Sequence, residues 1–335
     1  MSKAPSSLRA ALDEAKAVPR DALLGHIVMY SVSDGEYDRD HCAAEFTRLM
    51  LDAAYLPHQG RNIDAFRKAT SKMDDFEYKL PNGDVAHILV RDVANDKNQV
   101  VRHLVREVKD ANQRRLAYNQ IGDCTFWRPS TSGGITQPGT ERVRFHINAS
   151  MLIDTELPGA TAMVNKIQSL YERYARSMDD MKVRGMFRDY VSGLNAVQLR
   201  SGVYFVHVSR YDDLLNLQQL AESMSKQSGV TCRMDLIPMV DLESQRELVI
   251  EAFQEEATKA LDGITKKITD LRASRKKITP TAWANIKTEY DLITNRAVEY
   301  TRELSITQDN TAGAAEVALN SLIALQQQML KDTTP

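Results

Sequence analysis

Six residues near the C-terminus constrain this chain most: Ile286, Tyr290, Ile293, Ala297, Tyr300 and Leu304 recur at steps of 4, 3, 4, 3 and 4. Apolar positions alternating between threes and fours line one face of a helix and form the seam of a coiled coil. Upstream, Val249, Phe253, Ala257, Ala260, Ile264, Ile268 and Leu271 keep the same stepping, which predicts a helix over 242–271, about 45 Å long at 1.5 Å per residue. A basic run, Arg272 to Lys277, interrupts the stripe, and Thr279-Pro280 restarts it with Thr as N-cap and Pro at the first helical position. Two striped helices joined by a short polar turn read as an antiparallel, coiled-coil-like hairpin. After a second break at Gln308 to Gly313, the residues Ala315, Leu319, Leu322, Leu325 and Met329 predict a third helix. Residues 242–330 are therefore expected to form a helical arm.

The remainder changes period repeatedly. Leu23 to Tyr30 is an apolar run that fits a strand or a buried helical turn, while Asp40 to Leu51 and Asn62 to Lys72 read as short amphipathic helices. At 76–90 the period becomes two on either side of Pro81-Asn82-Gly83-Asp84, the strongest short-range signal for a β-hairpin. In 98–120 the spacing of Val100, Val101, Leu104, Val105 and Val108 points to a helix, although β-branched valines also suit a strand. Arg142 to Ile147 alternates as a strand. Pro158 to Leu170, continuing toward Leu199, is a long helical pattern; Gly202 to Val208 and Val230 to Met239 are strands flanking a helix from Tyr211 to Met224. Pro238 suits an edge strand. The expected fold class is α+β: an N-terminal α+β region at 1–128 containing the hairpin, a β-α-β-α-β body at 141–240, either separate or one domain with the preceding region, then the arm.

Composition excludes little. The chain has 335 residues, 43% hydrophobic and 26% charged, with formal net charge -2, so only local clusters can attract a polyanion. Cys42, Cys124 and Cys232 lie far apart and make neither a disulfide framework nor a metal pair, which suits a reducing compartment. Residues 1–20 lack the apolar core of a signal peptide, and no apolar run is long enough to span a bilayer. The expected location is cytoplasmic, in the host cytoplasm if a phage encodes the chain, with no membrane partner.

No phosphate-binding glycine loop, zinc-protease helix or nucleophile elbow occurs. Asp38, Asp40 and His41 put three potential metal ligands in four residues, but read as an acidic loop leading into a helix, with Asp38 or Asp40 as its cap. Asp179 and Asp180 sit among Arg176, Lys182, Arg184 and Arg188 as solvated helix pairs. His146 and His207 fall on strands beside apolar neighbours and read as structural, so no catalytic, cofactor-binding or metal residue is assigned and no cofactor is expected. Candidate phosphate contacts are Arg272, Arg275, Lys276 and Lys277 at the arm's turn, and a stripe of Arg102, Arg106, Arg114 and Arg115. Arg142 and Arg144 share one side of a strand, and Tyr118, Phe126 and Trp127 lie beside Arg128. Candidate interaction residues are Trp283, Ile286, Tyr290, Ile293, Tyr300 and Leu304 on the arm.

The stretch Gly202-Val203-Tyr204-Phe205-Val206, followed by a short helix, a strand and a long helical tail, resembles an uncharacterised group of phage- and bacterium-encoded proteins. That resemblance covers the C-terminal half and implies a viral or mobile-element accessory protein. The expected function is non-enzymatic interaction or assembly through the arm, with self-association or a protein partner. The alternative is nucleic-acid binding through the basic clusters.

Overall fold

A computed structural model describes residues 19–71, 76–80, 82–109, 115–129, 131–132, 135–136, 142–273 and 279–304. Its elements begin with β1 (Leu23–Val32), β2 (Glu36–Asp38), α1 (Arg39–Arg48), α2 (Asn62–Ser71), β3 (Phe76–Lys79), β4 (Val85–Asn95), β5 (Gln99–Lys109) and β6 (Arg115–Trp127). The short pair β7 (Thr131–Ser132) and β8 (Ile135–Thr136) precedes β9 (Arg142–Ile147), α3 (Leu157–Arg176), β10 (Ser177–Asp179) and α4 (Asp180–Gly193). Then come β11 (Val197–Arg200), β12 (Val203–His207), α5 (Tyr211–Ser228), β13 (Cys232–Val240), α6 (Glu243–Ala273) and α7 (Pro280–Leu304). The fold is a mixed α+β body followed by C-terminal helices. Two compact units share it: 19–34, 44–56 and 181–304 form one, while 35–43 and 57–180 form the other.

The first unit is built around β1. Its sheet has the order β11-β12-β1-β13, and every neighbouring pair is antiparallel. With the second unit set aside, the chain runs β1-α4-β11-β12-α5-β13, the split β-α-β arrangement of ferredoxin-like domains. Side chains alternate across β1. His26 stacks on Tyr211 of α5 at 4.6 Å and Tyr30 lies 5.8 Å from Phe187 of α4, so these two helices cover one face. On the other, Ile27, Phe205, Val197 and Met239 join Val249, Phe253, Ala257 and Tyr300 of α6 and α7 in one core cluster. A strand buried on both faces carries no clean alternation, which is why Leu23 to Tyr30 could not be typed from its sequence. Gly25 is required there, since a Cβ would lie 2.3 Å from the Val206 carbonyl oxygen. Pro238 does sit on an edge strand, β13.

The second unit holds a five-stranded antiparallel sheet in the order β3-β4-β5-β6-β9. The hairpin expected at 76–90 forms as β3 and β4, with Phe76 opposite Ile88 and Gly83 at φ +88° in its turn. Helices α2 and α3 pack on one face, where Phe66, Ile88, Leu104, Ile121, Phe126 and Ile167 form a core. Each such side chain contributes roughly 1.5–3 kcal/mol by leaving water.

Three expectations are corrected. Residues 98–120 do not form a helix; they supply β5 and most of β6. The three-and-four spacing arises because Leu104 and Val105 are both buried and a register shift falls between them, so apolar residues occupy both faces. The helical pattern from Pro158 does not run to Leu199. It stops where β10 pairs with β2, Met178 opposite Tyr37, and resumes as α4. The 141–240 segment is not one body: β9 pairs with β6 in the second unit, while β11, β12 and β13 pair around β1 in the first. Both the 1–128 region and the 141–240 body are thus divided between units. The helix expected at 315–329 lies outside the described residues.

Candidate functional site

The arm's start behaves as its sequence requires. The Thr279 hydroxyl accepts from the Ala282 N–H at 3.2 Å, capping α7. Ile286 then meets Ile264 and Ile268 of α6, with Trp283, Tyr290, Ile293 and Leu271 packed around them. Further along, Tyr300 stacks on Phe253 at 4.9 Å, and its hydroxyl donates to the Asn195 carbonyl. Arg296 pairs with Glu256 at 2.8 Å, and Lys267 with Glu289 at 2.7 Å. Glu256 also accepts from the Gln198 N–H at 3.0 Å, which satisfies part of the open edge of β11. Five of the six nominated interaction residues therefore pack within their own chain; Leu304 lies on α7, its side chain outside the described residues. What α7 exposes is Leu292 at 58% and Val298 at 65%, two positions the seam pattern does not single out.

The basic stripe on β5 is not presented as a row. Arg102 forms an ion pair with Asp92. Arg106 binds the carboxylate of Glu156 through two nitrogens, at 2.8 and 2.6 Å. Glu156 is fully buried and also accepts from the Ile153 N–H at 3.2 Å. An unpaired buried carboxylate would be costly, so Arg106 is a structural counter-ion at the start of α3. Arg114 lies outside the described residues, as do Arg275, Lys276 and Lys277; Arg115 and Arg272 lie on β6 and α6 with side chains outside them.

Both strand histidines stand near carboxylates. His146 Nδ1 is 3.5 Å from Asp123, which also binds Arg144 at 2.7 Å and the Thr125 hydroxyl at 2.8 Å. Burial raises the Asp123 pKa, but Arg144 and Thr125 outweigh it and hold the carboxyl below its ordinary value. His207 Nδ1 is 3.0 Å from the Ser209 hydroxyl and 3.6 Å from Glu303; that hydroxyl also donates to Glu303 at 3.0 Å. A serine relay needs its nucleophile and its acid on opposite ring nitrogens, whereas here both crowd Nδ1. Burial lowers the His207 pKa despite Glu303 and Asp241.

The other candidates read as structure. Asp38 accepts from the His41 N–H at 2.8 Å and caps α1. Among the described residues no group of three or more His, Cys, Asp or Glu side chains could hold a metal ion. Arg184 donates to the Val32 carbonyl at 2.6 Å and pairs with Asp34 at 3.5 Å, a partner that helix spacing could not reveal. All three cysteines are buried thiols outside any disulfide, and burial pushes Cys124 and Cys232 up to about 12, which disfavours the reactive thiolate. No described helix is long and apolar enough to cross a membrane.

A family of unknown function (DUF6744) matches residues 23–332. The chain belongs to that family. The matched range spans residues of both units. No curated protein matches the chain, and no solved structure does.

Proposed function

We propose that the protein is a non-enzymatic interaction or assembly protein, a phage or mobile-element accessory working in the host cytoplasm, that acts through its C-terminal arm. The observation that carries this reading is the exposure of Leu292 and Val298 on a helix whose inner seam is already filled. The pairs Phe253–Tyr300, Glu256–Arg296 and Lys267–Glu289 support a coiled-coil-like antiparallel α6–α7 hairpin, a stiff support for such a surface. The Nδ1 crowding at His207 and the ionised Asp123 beside His146 weigh against acid–base catalysis at either place.

Removing the arm would strip Val249 and Phe253 from the core of the first unit, so the test is a surface variant. Sedimentation velocity should show the intact chain self-associating and Leu292→Lys/Val298→Lys sedimenting as a monomer with an unchanged circular dichroism spectrum. Monomers in both cases would mean that the arm only braces its own chain.

The second reading, nucleic-acid binding, loses Arg102 and Arg106 as phosphate contacts because each already holds a carboxylate. The exposed cations of β9 favour it instead.

A further inference from the structure

On the face of the five-stranded sheet opposite α2 and α3, the strand register assembles one patch. Arg91 lies opposite His103, His103 opposite Asp123, and Asp123 opposite His146, a row crossing β4, β5, β6 and β9. Two residues along, Thr125 lies opposite Arg144, and four residues along, Trp127 lies opposite Arg142. The edge strand β9 alternates cleanly: Arg142, Arg144 and His146 are exposed while Val143, Phe145 and Ile147 turn inward. Arg144 is spent on Asp123, and its guanidinium carbon lies 5.6 Å from the Trp127 ring centre. Arg91 and Arg142, both exposed, remain as positive charges at two sides of the patch.

We infer that this sheet face binds a single strand of nucleic acid, with Arg91 and Arg142 contacting phosphates and Trp127 offering a stacking surface. Exposed cations on the same sheet face as an aromatic ring, Arg142 directly opposite Trp127 and Arg91 further along on β4, supply the backbone attraction and base stacking that sequence-tolerant single-strand binders use. Duplexes are a poor match, because the aromatic needs an unstacked base to stack on. This site lies in the second unit and does not depend on the arm.

The test is fluorescence anisotropy of a labelled thymidine 20-mer against the full chain at about 50 mM salt, where phosphate contacts are least screened. Binding is expected, and Arg91→Glu/Arg142→Glu should weaken it at least about tenfold. The same variant should flatten the slope of log K against log salt by about 1.4, the value for two lost single-strand contacts. Arg61→Glu/Arg200→Glu, an equal charge change elsewhere on the surface, should bind almost as the native chain does. The two tryptophans are Trp127 and Trp283, so in a Trp283→Phe background quenching by the unlabelled 20-mer reports Trp127 alone. A uridine 20-mer run in parallel shows whether the sugar matters. No binding, equal weakening by the control variant, preference for duplex, or equal competition by polyglutamate would each overturn the proposal. Since Arg91 and Arg142 are exposed, thermal melts of the variants should match the native chain, and a shifted melt with lost binding would count against a direct phosphate role.

Discussion

In the four-stranded sheet around β1, both faces are covered, by α4 and α5 on one side and by α6 and α7 on the other. In the five-stranded sheet, α2 and α3 cover one face, while on the other β9 carries exposed Arg142, Arg144 and His146 and β4 carries exposed Arg91. The sequences record the difference. Leu23–Val32 is buried at four consecutive positions, Leu23 to His26, and exposed only at Ser31, whereas Arg142–Ile147 alternates exposed and half-buried along its length. A sheet enclosed by its own chain presents little surface to a partner, so the proposed interaction of the first unit falls on the outside of its arm. In the second unit the proposed binding surface is the part of the sheet face around Arg142, since Leu89 and Val105 further along that face are buried.

The largest expected effects test whether the two cores are equivalent. Phe66→Ala in the second unit and Phe253→Ala in the first should each cost about 3–5 kcal/mol in urea unfolding, as for other large buried aromatics. A much smaller loss for Phe253→Ala would mean that the arm covers its sheet only loosely. Next is the inner ion pair: Arg106→Ala should cost about 3 kcal/mol because Glu156 is left buried and unpaired. Thermal melts of Arg106→Ala and Arg106→Ala/Glu156→Leu separate the cost of the orphaned carboxylate from that of the pair, and the double variant should regain part of the loss.

A pH effect distinguishes the covered faces. Burial, with a contribution from Arg20, lowers the His26 pKa from 6.5 to about 4. The folded state therefore binds this proton more weakly than the unfolded chain does. Its stabilising contribution is complete above pH about 6.5 and is lost as pH falls toward about 4, at no more than about 1.4 kcal/mol per pH unit. His26→Phe, which keeps a ring against Tyr211, should flatten stability across that window; an unaltered profile would place the titration elsewhere. Smaller again, Tyr300→Phe should cost about 1 kcal/mol through the lost bond to the Asn195 carbonyl. Arg142→Ala, on the outer face, should change stability by less than about 0.5 kcal/mol, which is what leaves that position free for binding.

Legibility followed how local each signal was. The Asn82-Gly83 hairpin, the Thr279-Pro280 helix start and the alternation of 142–147 could be read because a turn, a cap or one exposed face lies in the residues themselves. The α6 and α7 stripes were equally plain. Residues 98–120 were misread because a strand with consecutive buried residues and a register shift mimics helical spacing. Arg102 and Arg106 looked like a cationic stripe because Asp92 and Glu156 become their partners only through strand pairing and helix packing. The signal that could have found the β9 patch was present in Arg142, Arg144 and His146 at every second position, but His103 and Arg91 join it only through register.

By itself the sequence determined an α+β chain ending in striped helices, because helix and hairpin signals depend on neighbours a few residues apart. It determined that Tyr300 and Ile286 must be buried, but not against what. Tertiary structure alone decided that β9 joins the strands before it rather than those after it, that α6 and α7 cover a ferredoxin-like sheet of their own chain, and which arginines face water. Those outcomes rest on pairings between residues tens to hundreds of positions apart, for which strand and helix periodicity carries no information.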